Sequence, residues 1–305
     1  MLASDNVWAV SANNKIWHYD GTNWTFQSAP QGSGNIYDIT MLSTSDGWVI
    51  GNTTWHWDGS RWSLVGGRGG YGIDAASAQT VWASNYDGIL SHWTGSQWEL
   101  SPTPASYVGG SLNDVDMLSS KEGWSVGQYG FNSTLIHWDG VNWTSVPATT
   151  TMELFTIETI SAVDAWAGGT LTVLHWNGSS WNAFNNTQLP VSSPIVFGIS
   201  AISSNDVWMV GRDDGAYSSF IWRWDGTNWN TIPHTTTINM NDVAMLSSTD
   251  GWVVGNNGTL MRWDGAQWNN VPITTTNSLM QIDMVSANDG WLISMQEFFH
   301  WDGVS

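Results

Sequence analysis

The sequence predicts an all-β chain built from eight copies of one antiparallel, four-stranded unit. Three observations predict it. A tryptophan that closes a short Asp-Gly-Trp or Asp-Val-Trp type of element recurs at Trp8, Trp48, Trp82, Trp124, Trp166, Trp208, Trp252 and Trp291, a period near forty residues. The segments between turns alternate with period two, not 3.6. Turn residues punctuate every unit at matching places.

The unit reads most clearly at 242–268. Asp242–Leu246 forms a first strand, Ser247–Gly251 turns the chain, and Trp252–Gly255 forms a second strand. Asn256, Asn257 and Gly258 make a tight turn that tolerates positive φ. Thr259–Trp263 is the third strand, Asp264-Gly265 opens a hairpin loop, and Gln267–Val271 is the fourth. That last hairpin recurs at Tyr19–Trp24, Trp57–Trp62, Trp93–Trp98, Trp138–Trp143, Trp176–Trp181, Trp224–Trp229 and Trp263–Trp268, and Trp301-Asp302-Gly303 begins another. Four strands joined by three hairpins make one blade of a β-propeller. The eight units run over residues 1–35, 36–70, 71–111, 112–153, 154–196, 197–239, 240–278 and 279–305 of a single domain.

The first unit opens at its second strand, Val7–Val10, and the eighth stops after its third, Phe298–Trp301. An eight-bladed ring with two three-stranded blades accommodates this directly. A seven-bladed ring would need the first strand of unit eight to complete unit one, leaving Gly290–Gly303 surplus, so eight is the expectation. Of the 25 Trp, 22 fall in three repeat columns. They are expected as packing between blades, where large flat rings fill the wedge.

Composition excludes several functions. A net charge of −19 with only seven Lys plus Arg leaves too few cations to bind nucleic acid or to dock on anionic lipid. No cysteine is present, so thiolate catalysis, thiolate metal sites and disulfides are excluded. No apolar run is long enough to span a membrane. No signal peptide opens the chain, and repeat sequence follows Met1 almost at once, which reads as a segment of a longer or processed protein.

The run at 250–265, DGWVVGNNGTLMRWDG, resembles the BNR-like and WD40/YVTN-like repeats of bacterial propellers. That broad group includes sialidases and the propellers of photosystem II assembly factors. The elements at Asp46–Gly51 and Glu122–Gly127 match the same pattern. Where such repeats commonly read Asp-Gly-Gly-x-Thr-Trp, this chain reads Trp-Asp-Gly-x-x-Trp. The resemblance implies a propeller, often exported to the cell surface or beyond, and carries over no activity.

Two polar columns accompany the tryptophans. His18, His56, His92, His137, His175, Arg223, Arg262 and His300 precede the third-strand aromatic. Asp46, Glu122, Asp164, Asp206, Asp250 and Asp289 lie two residues before the second-strand Trp, with Asn6 and Thr80 as exceptions. The columns are expected to meet as hydrogen-bonded pairs, because buried charges need partners. Asp38, Asp74, Asp114, Asp116, Glu158, Asp242 and Asp283 are expected along the first strands, facing a central channel. No cofactor is required, although such carboxylates could hold Ca²⁺ there.

Function is expected where the repeat breaks. Loops joining second to third strands share one rim with connections from each fourth strand to the next first strand. Long or aromatic loops there supply the candidate ligand-binding residues Tyr86, Asp87, Tyr129, Phe131, Arg212, Asp213, Asp214 and Tyr217. No residue is a catalytic or metal candidate. His234 is the one histidine outside the basic column, and no elbow, HExxH or phosphate loop accompanies it. The reading is a non-catalytic, exported module that binds a glycan or a protein. The alternatives are a self-associating surface or filament protein, with the incomplete end blades and three Pro-x-Thr-Thr-Thr segments at 147–151, 233–237 and 272–276 as contacts between copies, and a sialidase-like hydrolase, which would need an arginine cluster.

Overall fold

The computed structural model describes residues 6–11, 15–28, 35–101, 109–130, 132–147, 150–184, 187–294 and 297–304. Its described elements are all strands. They form eight antiparallel sheets, one per repeat, six of four strands and the first and last of three, so the chain is an eight-bladed β-propeller. The residues fall into two compact units, 1–162 and 163–305, whose boundary lies within the fifth repeat.

Each repeat folds as its sequence directs. In the seventh, the strands are Met240–Ser247, Asp250–Gly255, Thr259–Trp263 and Trp268–Asn270. The fourth strand starts later than the alternation predicts. The side chain of Asp264 accepts the N–H groups of Ala266 and Gln267 at 2.9 and 2.8 Å and so keeps Gln267 in the loop. Gly265 sits at φ 92°, where a Cβ would be strained. This side-chain-capped turn accounts for the recurrent Trp-Asp-Gly motif. Asp58 accepts the N–H groups of Ser60 and Arg61 in the same way, and the Ser60 hydroxyl at 2.6 Å together with these bonds holds its carboxyl down at about 2.

The first strand is longer than predicted because it contains a bulge. Pairing runs from Met240 opposite Gly255 to Asp242 opposite Val254, leaving Asn241 extra. The same extra residue is Tyr37, Tyr71 and Asn113 in the first unit, and Phe197 and Met280 in the second. A bulge bends a strand and re-aims one side chain.

All 25 tryptophans lie among the described residues, and none is exposed. The second-strand Trp of one repeat packs against the two hairpin tryptophans of the next. Trp8 meets Trp57 and Trp62 at 4.8 and 5.5 Å, and Trp48 meets Trp93 and Trp98 at 4.8 and 5.6 Å. In the second unit, Trp208 meets Trp263 and Trp268 at 5.2 and 5.7 Å. The rings meet tilted or edge to face, the arrangement their quadrupoles favour. The tryptophans are therefore mortar between sheets.

The polar columns pair inside each sheet. His56 bonds Asp46 at 2.7 Å, His137 bonds Glu122 at 2.6 Å, and His175 bonds Asp164 at 2.9 Å. Arg223 forms two bonds of 2.8 Å to Asp206, and Arg262 bonds Asp250 at 2.9 and 3.2 Å. These bases also lie over the second-strand Trp of their own sheets. His175 stacks on Trp166 at 4.1 Å, and the Arg262 guanidinium lies 5.1 Å over Trp252. Cross-strand register explains this, because Trp252 stands directly opposite Arg262. His92, which has Thr80 in place of the acid, stacks on Trp82 at 4.3 Å.

Candidate functional site

The end of the sheets that carries the second-to-third hairpins is where the repeats diverge. In the first unit, the hairpin after Thr80–Asn85 turns through Tyr86, Asp87 and Gly88. Gly88 adopts φ 74°. The backbone here is tied to its neighbours. Tyr86 N–H donates to Gly69 O at 3.3 Å, and Gly109 N–H donates to Asp87 O at 2.7 Å.

Around this turn three tyrosines converge. Tyr37 and Tyr71 are the bulge residues of two successive first strands, and both are more than two-fifths exposed. Tyr86 packs edge-on against Tyr71 at 4.7 Å and against Tyr37 at 6.1 Å, and Tyr37 meets Tyr71 at 5.6 Å. The Tyr86 hydroxyl donates to Gly51 O at 3.3 Å, and Asn35 donates to the Tyr37 hydroxyl at 3.2 Å. Burial raises the Tyr86 phenol above its ordinary range, so it stays a neutral donor. Beside the cluster, the Arg68 guanidinium donates to Oδ2 of Asp87. Oδ1 of Asp87 is shielded and meets no donor among the described residues. Tyr129, two-fifths exposed, stands against Gly110 close to this turn. Phe131 lies outside the described residues, as do Ala148 and Thr149 of the first Pro-x-Thr-Thr-Thr segment.

The remaining candidates form a separate group in the second unit. Arg212 pairs with Asp214 at 2.7 Å and lies 5.8 Å over the ring of Phe197, the bulge residue of its own sheet. Asp213 is buried and accepts Gly215 N–H at 3.0 Å, so it shapes the loop. Tyr217 is held at φ 52° with its side chain 89% exposed.

Sequence reasoning missed Tyr37, Tyr71 and Phe197 because it placed the first strands without a bulge. A signal was available: an extra residue precedes the position of Asp38, Gly72, Asp114, Gly198 and Asp242, in five of the repeats.

The first-strand carboxylates have another task. Asp38 accepts the N–H of its own neighbour Ile39 at 2.8 Å and of Ile73, on the next first strand, at 2.9 Å. Asp114 does the same for Val115 at 2.9 Å and Ile157 at 3.0 Å. Asp74 spans to Met117 at 2.8 Å, Asp116 to Thr159 at 2.6 Å, and Asp242 to Ile282 at 3.0 Å. They stitch one repeat to the next. Burial outweighs these bonds and pushes Asp38, Asp114 and Asp242 up to about 7 and Asp116 up to about 6. Asp74 is raised for the same reason. The bonds that reach the next strand come from backbone N–H groups, and no set of three or more Asp, Glu or His converges as a metal site among the described residues.

This geometry places the chain in the class of WD40-like and YCF48-like β-propellers at the level of fold. It superposes on the structure described as YCF48 bound to D1 peptide with a TM-score of 0.63 and 16% identity, covering 87% of this chain and 90% of that one. YCF48 from Cyanidioschyzon merolae gives 0.61 and 15%, covering 90% and 95%. The WD40 propeller domain of Doa1 gives 0.61 and 12%, covering 87% and 91%. No family model matches the chain, and no curated protein matches it in sequence.

Proposed function

We propose that the chain is a non-catalytic recognition module, acting outside the cell, that binds an extended protein segment at the tyrosine-bearing end of its first unit. The observation that carries this reading is the cluster of Tyr37, Tyr71 and Tyr86 beside Asp87. Tyrosine offers large contact area at low entropic cost and is enriched where binding energy concentrates. The rings meet at interplanar angles of 71°, 76° and 87°, so they form a corrugated surface. A corrugated surface suits side chains of a peptide better than the flat face of a sugar ring. A net charge of −19 favours a segment bearing Lys or Arg. A neighbour of the same fold is described with a bound peptide, which agrees with this reading.

Absence of catalysis is part of the proposal. Among the described residues, His234 lies 2.9 Å from the Ser219 hydroxyl, which is the arrangement a nucleophile would need. Ser219 is buried, its hydroxyl also reaches Thr236 O at 3.1 Å, and Nδ1 of His234 faces Ile232 O at 3.2 Å and not a carboxylate. This pair fastens the Pro233–Thr237 loop to its sheet.

The test is selection from a displayed library of random peptides, followed by titration of the enriched ones. Enriched peptides should carry Lys or Arg and should weaken with added salt. The double variant Tyr37→Ala/Tyr71→Ala should lose affinity at least about tenfold, that is about 1.4 kcal/mol. Peptides that bind the double variant as well as the parent protein would overturn the proposal, as would a library that yields no binder.

A further inference from the structure

We infer that the second unit holds a separate site for a neutral saccharide, in the cleft between Phe184 and the Trp229 hairpin. The cleft has a volume of about 440 Å³, within the roughly 300–1,000 Å³ of small-molecule sites. The segments Thr187–Pro190 and Thr227–Thr231 both line it.

Two departures from the repeat build it. Phe184 follows the fourth strand of the fifth repeat, and its N–H donates to Val173 O at 3.0 Å. In the other repeats the residue making this bond is Val146, Ile232 or Val271, with Ser101 in the third. Only here, among these described positions, does an aromatic ring occupy the place. Phe184 stacks on Trp166 at 5.7 Å and stands edge-on to Trp224 at 5.4 Å, so its orientation is fixed. The second departure is the long connection to the next first strand, which starts at Pro194. Leu189 in that connection is buried and pins the wall in place.

The chemistry of the lining selects the ligand. Gln188, Asn228, Asn230, Thr187, Thr227 and Thr231 supply amides and hydroxyls, which both donate and accept; the NH₂ of Asn230 is given to Asp225 Oδ2 at 2.8 Å, so this residue offers its carbonyl oxygen. No lining residue is charged, in a chain with 26 Asp plus Glu. A charged ligand would find no counter-ion among the lining side chains, and a purely apolar one would make no use of the hydroxyls and amides it covered. A polyol ring matches both demands, with hydroxyls for the amides and C–H faces for Phe184 and the edges of Trp224 and Trp229. This inference is independent of the peptide reading, since it uses neither the tyrosines nor the first unit.

The experiment is saturation-transfer NMR and calorimetric titration with glucose, galactose, mannose, N-acetylglucosamine and their disaccharides. Glucuronic acid and sialic acid serve as charged comparators. At least one neutral sugar should bind with a dissociation constant of about 1 mM, as expected of an open cleft with a few hydrogen bonds. Gln188→Ala should weaken it several-fold. Thr231→Trp, a change at an exposed residue that plugs the cleft, should abolish it, with the melting temperature checked in parallel. Val141→Ala, an exposed change in the first unit, should leave it unaltered. The inference is overturned if no neutral sugar binds, if the acidic sugars bind more tightly, or if Thr231→Trp melts like the parent and still binds.

Discussion

In the first unit, Asp38, Asp74, Asp114 and Asp116 each reach from one first strand to a backbone N–H of the next. In the second unit the same reach is made by Asp242 and by the hydroxyl of Ser200, which accepts Met245 N–H at 3.0 Å. A half-buried carboxylate and a half-buried hydroxyl thus do one mechanical job at different electrostatic cost. The tryptophan mortar does not differ in this way: Trp48 and Trp208 are both fully buried and contact equivalent rings. Cohesion between repeats is therefore uniform where it is apolar and variable where it is polar. That division suits a fold whose repeats must all pack alike, while each polar position answers only to its local partner.

The largest expected effect tests the uniform part. Trp48→Ala and Trp208→Ala should each cost about 3–5 kcal/mol, the usual cost of emptying a packed aromatic site. Urea unfolding followed by circular dichroism reads both. If one variant cost several times more than the other, the mortar would not be equivalent in the two units, and the comparison would fail.

The uniform part is also what the sequence made legible. Eight tryptophans at a forty-residue interval, and a hairpin motif whose Asp caps its own loop, are local signals repeated often enough to read without a structure. The acidic and basic columns were legible for the same reason, since Asp250 and Arg262 recur at fixed offsets. The rim was harder. Tyr86 and Tyr129 stood out as aromatic residues in loops, but Tyr37 and Tyr71 lie in strands and are turned outward only by a bulge, which alternation conceals. Phe184 departs from a Val and Ile column that shows only once the hydrogen-bond register aligns the repeats. The stitches were half legible: the carboxylates were placed on the right strands, but their partners are backbone N–H groups about forty residues away, which no side-chain pattern encodes.

A smaller effect separates the polar stitches. Asp114→Asn keeps the size of the side chain but sets an amide NH₂ against an N–H that needs an acceptor. It should cost about 1–3 kcal/mol. Ser200→Ala removes one hydroxyl acceptor and should cost about 1 kcal/mol, the lower end for a single neutral bond. The two midpoints in urea sharpen the contrast between units. Equal losses would mean that the carboxylate charge adds nothing to the stitch.

The smallest effect follows from proton linkage. Asp38, Asp114 and Asp242 sit near 7 in the folded chain against an ordinary value of 3.8, with Asp116 near 6. A carboxyl raised by folding binds protons more tightly in the native state than in the unfolded one. Its contribution is fully present below pH 3.8 and is lost as pH rises through about 7. Burial lowers His18, His92 and His234, which act in the opposite sense: what they contribute is lost as pH falls through 6.5 toward their folded values. The carboxylates are the more deeply buried groups, so the balance favours the acid side. The melting temperature at pH 5.5 should exceed that at pH 8 by about 2 °C, the equivalent of about 1 kcal/mol in a chain of this size. Because three of these four carboxylates lie in the first unit, Asp38→Asn should flatten the slope between those two pH values, whereas Ser200→Ala should leave it unchanged. A slope of the opposite sign would mean that the N–H bonds to these carboxylates outweigh their burial, and that the first unit is clamped by charge and not despite it.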